Sequence, residues 1–143
     1  MKEQQLKALG HQGPVCYNNQ CPRREQCLRW LANGYANEKP LVLSVVNIQN
    51  AEVNSGNCPL FAADKTVTVW RGMTRFYHDM PHHTELAIKE HLIRNLTRTR
   101  YYKLRKGELP IIATLRADIE RVCRQHGWTE PLVFDSTGEE YLW

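Results

Sequence analysis

The sequence predicts an α+β protein. A small cysteine-bearing N-terminal part with a short antiparallel β pair is followed by a mostly helical, helix-turn-helix-like C-terminal part. Three observations carry that expectation. Four of the five cysteines fall within the first 58 residues. Two runs, L-V-L-S-V-V-N-I at 41–48 and T-V-T-V-W at 66–70, have the β-branched content of strands, and the second alternates in polarity. From Pro81 onward, apolar residues recur at helical spacing instead.

Taken in order, residues 1–15 close on the turn pair Gly13-Pro14 and are expected to form a flexible or loosely docked arm. C-L-R-W-L-A-N-G-Y predicts a short helix with Leu28, Trp30 and Leu31 on its apolar side and Asn33-Gly34 as its stop. The runs at 41–48 and 66–70 are expected to pair with each other, with Cys58 on the polar connection between them. T-E-L-A-I-K-E-H-L-I predicts a helix capped by Thr84 that buries Leu86, Ile88, Leu92 and Ile93. A second helix follows Thr97 and ends at Gly107. A third, from I-I-A-T-L to Gly127, places Ile112, Leu115, Ile119, Val122 and Cys123 on one face. P-L-V-F-D is expected as a short final strand. The division is expected after residue 75, giving a cysteine-rich, metal-binding part at 1–75 and a helical, nucleic-acid-binding part at 76–143, which can also pack as one compact domain.

With 143 residues, 42% of them apolar, the chain can build a core but not a generous one. The longest apolar runs are far too short to span a bilayer. The N-terminus M-K-E-Q-Q-L-K-A-L-G has no apolar secretory core. The expectation is a cytoplasmic protein without a membrane partner, its thiols reduced. The net charge of +4 splits evenly: seven cations against five acids in residues 1–70, and twelve against ten in 71–143. The distribution is less even, because residues 94–106 hold six cations and no acid.

Cys16, Cys21, Cys27 and Cys58 follow the spacing C-x4-C-x5-C-x30-C. Thiolates are soft ligands, and four of them suit a structural zinc ion or an iron–sulfur cluster. Zinc ranks first, the cluster second, and a metal-free set of thiols third. The cations Arg23, Arg24 and Arg29 would favour the thiolate form. Cys123 lies on an apolar helical stripe and reads as core packing.

The second candidate site is R-N-L-T-R-T-R-Y-Y-K-L-R-K. Asn95 is expected to turn the chain between two helices, with Leu96, Tyr101 and Leu104 packed inward. Arg94, Arg98, Arg100, Lys103, Arg105 and Lys106 would then be available to phosphates or base edges. Tyr101 and Tyr102 are adjacent and diverge on a helix, so one of them is free to stack on a base.

The combination C-x4-C-P-x4-C-L-R, N-C-P-L-F, Y-Y-K-L-R-K-G-E and the final F-D at 134–135 resembles a family of small bacterial proteins classed only as a domain of unknown function. The resemblance spans residues 16–134 and implies a bacterial, cytoplasmic protein; it brings no activity with it. From the residues, the expected function is a small metal-stapled nucleic-acid-binding protein, a transcriptional regulator being one form of it, that contacts DNA or RNA and is compatible with a homodimer. The alternatives are a module gripping an acidic protein partner and an iron–sulfur redox sensor. No phosphate-binding glycine loop, HExxH or G-x-S-x-G motif is present, so an enzyme is not expected.

Overall fold

The computed structural model describes residues 2–36 and 41–143. Among the described residues, six helices and two strands are formed: α1 (Lys2–Gln12), α2 (Leu28–Leu31), α3 (Asn33–Ala36), β1 (Thr66–Arg71), α4 (His82–Leu96), α5 (Arg98–Arg105), α6 (Ala113–Gln125) and β2 (Ser136–Tyr141). A single turn of tighter helix, Arg24–Gln26, precedes α2. The fold is α+β, its sheet being the antiparallel pair β1–β2. The chain divides into two compact units, Met1–Val67 with Glu140–Trp143, and Thr68–Glu139. That boundary lies eight residues before the division expected after residue 75, and the last four residues return to the first unit.

In the first unit the expected N-terminal arm is a helix. Leu6 and Leu9 of α1 are buried in a cluster with Val15, Leu28, Ala32, Ala36 and Ala62. Gly10 permits the contact, because a Cβ there would stand 3.1 Å from the Ala32 carbonyl oxygen. The C-terminus fastens the same helix: Tyr141 N–H donates to Gln5 Oε1 at 3.2 Å, and the Arg29 guanidinium lies 4.9 Å from the Trp143 ring. A local reading of residues 1–15 could not see these partners, which come from the other end of the chain.

The expected strand at 41–48 does not form. Among the described residues its ladder contact is an isolated parallel bridge from Val45 to Val15, and Leu41 and Val42 are 103% and 86% exposed. β-branched content favours a strand only where a neighbouring strand supplies hydrogen bonds and a packing surface. β1 therefore pairs with β2, which runs six residues beyond P-L-V-F-D. Asn33-Gly34, expected to end a helix, instead opens α3.

The second unit has the larger core. Met73, Phe76, Tyr77, Met80, Ile88, Leu92, Tyr101, Leu104, Ile111, Leu115, Ile119, Val122 and Cys123 form one buried cluster. Ile88 and Leu92 take the inner side of α4, whereas Leu86 is 50% exposed; Leu115, Ile119, Val122 and Cys123 take the inner side of α6. Ile112 is exposed and caps α6 rather than joining its stripe. α4 starts at His82, behind Pro81, so Thr84 is a buried first-turn residue and not a cap.

Two of the sequence motifs turn out to hold this core together at Gly72. The Asp135 carboxylate accepts hydrogen bonds from Thr74 N–H (3.2 Å) and Thr74 Oγ1 (2.8 Å), while Asp135 N–H donates to the Gly72 carbonyl (3.0 Å). A Cβ on Gly72 would collide with that carboxylate, and φ there is +79°. These hydrogen bonds hold the Asp135 pKa down against its partial desolvation. Gly107, also left-handed, packs against Gly72, and Arg71 Nη1 donates to the Gly107 carbonyl at 2.9 Å. The Gly-Glu and Phe-Asp motifs thus carry structure.

Candidate metal and nucleic-acid sites

The cysteines of the first unit are brought together by turns. Cys21 N–H donates to the Asn18 carbonyl, Cys27 N–H to Arg24, and Phe61 N–H to Cys58, each at 3.1–3.2 Å. Cys27 then bridges Ala63, and Leu28 N–H donates to Ala62 at 2.7 Å, which brings the segment after Cys58 alongside the first three cysteines. Asn18 is buried; it bonds Asn54 Oδ1 through Nδ2 (3.1 Å) and accepts from Gln20 N–H, fixing the loop between Cys16 and Cys21. The sequence singled out neither Asn18 nor Asn54, because asparagines in polar loops carry no spacing signal.

Cys16, Cys21, Cys27 and Cys58 all line one cavity of about 30 Å³, together with Arg24, Arg29 and an apolar wall that includes Val46, Val53 and Phe61. That volume accommodates one ion or one water molecule. Burial pushes the Cys16 thiol above its ordinary pKa, and the proximity of Cys27, Cys21 and Cys58 adds to the shift. One hydrogen bond opposes it: Asn18 N–H points at Cys16 Sγ, 3.4 Å away. As the side chains stand, no group of three or more His, Cys, Asp or Glu among the described residues is arranged to hold a metal ion. The backbone has gathered the thiols without converging them. Each has a single side-chain torsion through which to close on an ion. Four thiols are the donor set of a soft ion, which binds in place of their protons.

The arginines are more committed than the sequence suggested. Arg29 donates to the Leu60 carbonyl at 2.8 Å and the Pro14 carbonyl at 2.9 Å. Arg23 stacks on Phe61 at 3.6 Å and donates to the Gly56 carbonyl. Arg24 reaches the Cys21 carbonyl at 3.4 Å. Their role in the unit is as much to hold loops as to supply charge.

The basic segment forms the end of α4 and the whole of α5. The reversal between them falls at Thr97, with φ 70° and ψ 154°, and not at Asn95, which stays helical. Thr97 Oγ1 accepts from Arg100 N–H at 3.5 Å, capping α5. Tyr101 and Leu104 are buried and anchor the helix. Tyr101 therefore leaves the set of candidate contacts. Its hydroxyl shares a 2.8 Å hydrogen bond with Tyr77, and burial raises the pKa of both phenols.

Arg94, Arg98, Arg100, Lys103 and Lys106 are exposed, and Arg105 is half-buried beside Tyr77. Tyr102 is half-buried, edge-on to Tyr101 at 5.1 Å, with the Arg98 guanidinium 5.5 Å and the Lys89 ammonium 5.7 Å from its ring. Lys89 lies outside the basic run, about two turns into α4, so only the fold associates it with Tyr102. His91 and His126 pair through Nδ1 and Nε2 at 3.0 Å.

Among the described residues, no helix is long and apolar enough to cross a membrane. Neither the curated proteins nor the solved structures contain a match to this sequence. A family model does match, and it covers residues 1–143, the N-terminal helix and the C-terminal strand included. The chain belongs to DUF6078, a family of unknown function.

Proposed function

We propose that the chain binds nucleic acid through the exposed side of α5, and that a zinc ion held by Cys16, Cys21, Cys27 and Cys58 staples its first unit. The observation that carries the binding reading is the division of labour on α5. Tyr101 and Leu104 fix the helix in the core, while Arg98, Arg100, Lys103 and Lys106 stand exposed. Among the described residues, none of these four makes an ion pair. Other exposed arginines do pair, as Arg121 does with Asp118 at 2.6 Å and Arg124 with Glu120 at 2.9 Å. Exposed cations without ion-pair partners on a rigid helix are an electrostatic footprint for a polyanion. Four thiols lining one cavity are the donor set that a structural zinc ion takes. When bound, zinc would supply a cross-link between segments distant in sequence, and no chemical step is assigned to it.

The test is the salt dependence of binding to DNA and RNA oligonucleotides. The triple variant Arg98→Ala/Arg100→Ala/Lys103→Ala should bind at least tenfold more weakly. Its log–log salt slope should shrink by roughly 2 to 3, since each lost phosphate contact removes about 0.9. Its melting temperature should stay near that of the wild type, because the three side chains are exposed. Unchanged affinity in the variant would overturn the assignment to α5.

A further inference from the structure

Tyr102 and Arg98 form a wall between two hollows of nearly equal size. One, about 330 Å³, is floored by Leu86 and Ile93 and edged by Lys89 and Glu90. The other, about 340 Å³, is edged by Thr99, Lys103, Lys106 and Glu108. Both sides share the tyrosine and the guanidinium, but their chemistry differs. The first offers an apolar floor, including the half-exposed Leu86, with a carboxylate at its edge. The second offers two ammonium groups and a hydroxyl against one carboxylate.

A duplex shows a protein its phosphates and groove edges; the faces of its bases are hidden by stacking. A single strand shows base faces and phosphates side by side, and it is bound by aromatic platforms flanked by cations. We propose that the Tyr102 wall is a binding site for single-stranded nucleic acid, with a base against Tyr102, Leu86 and Ile93 and the adjoining phosphates on the Lys103 and Lys106 side. This rests on the nucleic-acid reading above and names its substrate class. Glu90 sharpens the polarity of the site, because its carboxylate repels phosphate and can accept from a ring N–H or an exocyclic amine of a base. The wall is also pre-organised. Tyr102 packs edge-on against Tyr101, and Tyr101 is tied to Tyr77. Little order has to be created on binding.

Fluorescence anisotropy with labelled oligo-dT, oligo-U and a duplex of equal length tests the proposal on the full chain. Wild-type protein should bind either single strand more tightly than the duplex at the same salt. Tyr102→Ala should weaken single-strand binding by about tenfold or more, the usual loss of one stacked base, while Tyr102→Phe retains it. Leu86→Asp, at an already exposed position, should do the same by replacing the apolar floor under the base with a carboxylate, and it guards against a folding defect in Tyr102→Ala. Duplex binding should change little in all three. If the duplex binds as tightly as the single strands, or Tyr102→Ala and Leu86→Asp leave oligo-dT and oligo-U binding intact, the single-strand assignment fails while the cationic face stands. If no oligonucleotide binds at low salt, the nucleic-acid reading itself fails.

Discussion

The two units are held by different physics. Of the ten largest fully buried side chains among the described residues, Leu28 and Val15 belong to the first unit; Tyr101, Met73, Ile88, Leu104, Ile111, Ile119, Val69 and Cys123 belong to the second. The second unit closes on a contiguous apolar core, and its helices follow from amphipathic spacing. The first unit relies on small residues, tight turns and side-chain-to-backbone hydrogen bonds around its cysteines. A unit with so few large buried residues gains little from apolar burial and is the one that benefits from a cross-link. That contrast makes the gathering of four thiols in the weaker unit physically reasonable.

The contrast is most easily broken by removing the proposed zinc. A structural zinc contributes on the order of 10 kcal/mol to small domains. Chelation, or Cys58→Ser on metal-loaded protein, should therefore abolish amide protection at Val15, Leu28 and Val46 while α6 stays protected. Amide hydrogen exchange followed by mass spectrometry reads both units in one sample. Because burial raises the Cys16 pKa, zinc must displace protons, and its affinity should fall as the pH is lowered. Protection in the first unit that survives both chelation and Cys58→Ser would show that its loops stand without metal.

A smaller loss sharpens the other side of the comparison. Tyr101→Phe leaves the Tyr77 hydroxyl buried without its 2.8 Å partner, at a cost of about 1–3 kcal/mol. Tyr77→Phe/Tyr101→Phe removes both polar groups and should recover most of that loss. Urea denaturation of the single and double variants gives the comparison directly. A double variant less stable than the single one would mean that the hydroxyl pair contributes more than its mutual satisfaction.

What could be read in advance follows the same divide. α4, α5 and α6 were legible because an amphipathic helix writes its partner surface into its own spacing, and Gly107 and Gly127 carry the positive φ their helix ends require. β2 was displaced from P-L-V-F-D because S-T-G-E-E-Y is polar and mostly exposed, and it is a strand only through β1. α1 was read as an arm because its docking partners, Gln5 with Tyr141 and Gly10 with Ala32, lie far along the chain. Cysteine spacing pointed to one metal cluster; the four cysteines line one cavity, but among the described residues no three of them are arranged to hold an ion. The Tyr102 wall was only half visible. Its α5 side lay in the basic run, while Leu86, Lys89 and Ile93 carried nothing to distinguish them from core or surface residues.

The smallest expected effect concerns the joint between α4 and α5. Thr97 holds φ 70° and ψ 154°, a region that costs a β-branched residue about 1–3 kcal/mol. Thr97→Gly relieves that strain, loses a long capping bond worth a few tenths of a kcal/mol in a Gly substitution, and adds unfolded-state entropy of about 0.4–1 kcal/mol. The net expectation is a gain of about 1 kcal/mol in the second unit, read as a higher urea midpoint. Strain of this kind persists where the surrounding structure over-determines it, and here it starts the helix that carries Arg98, Arg100 and Tyr102. The glycine variant should therefore be more stable and bind single strands somewhat less well, because a relaxed joint no longer fixes the angle of α5 against Leu86 and Ile93. A variant that loses stability instead would show that Thr97 is held by contacts whose value exceeds its backbone cost, and the joint would then be a packed corner with no stored strain to release.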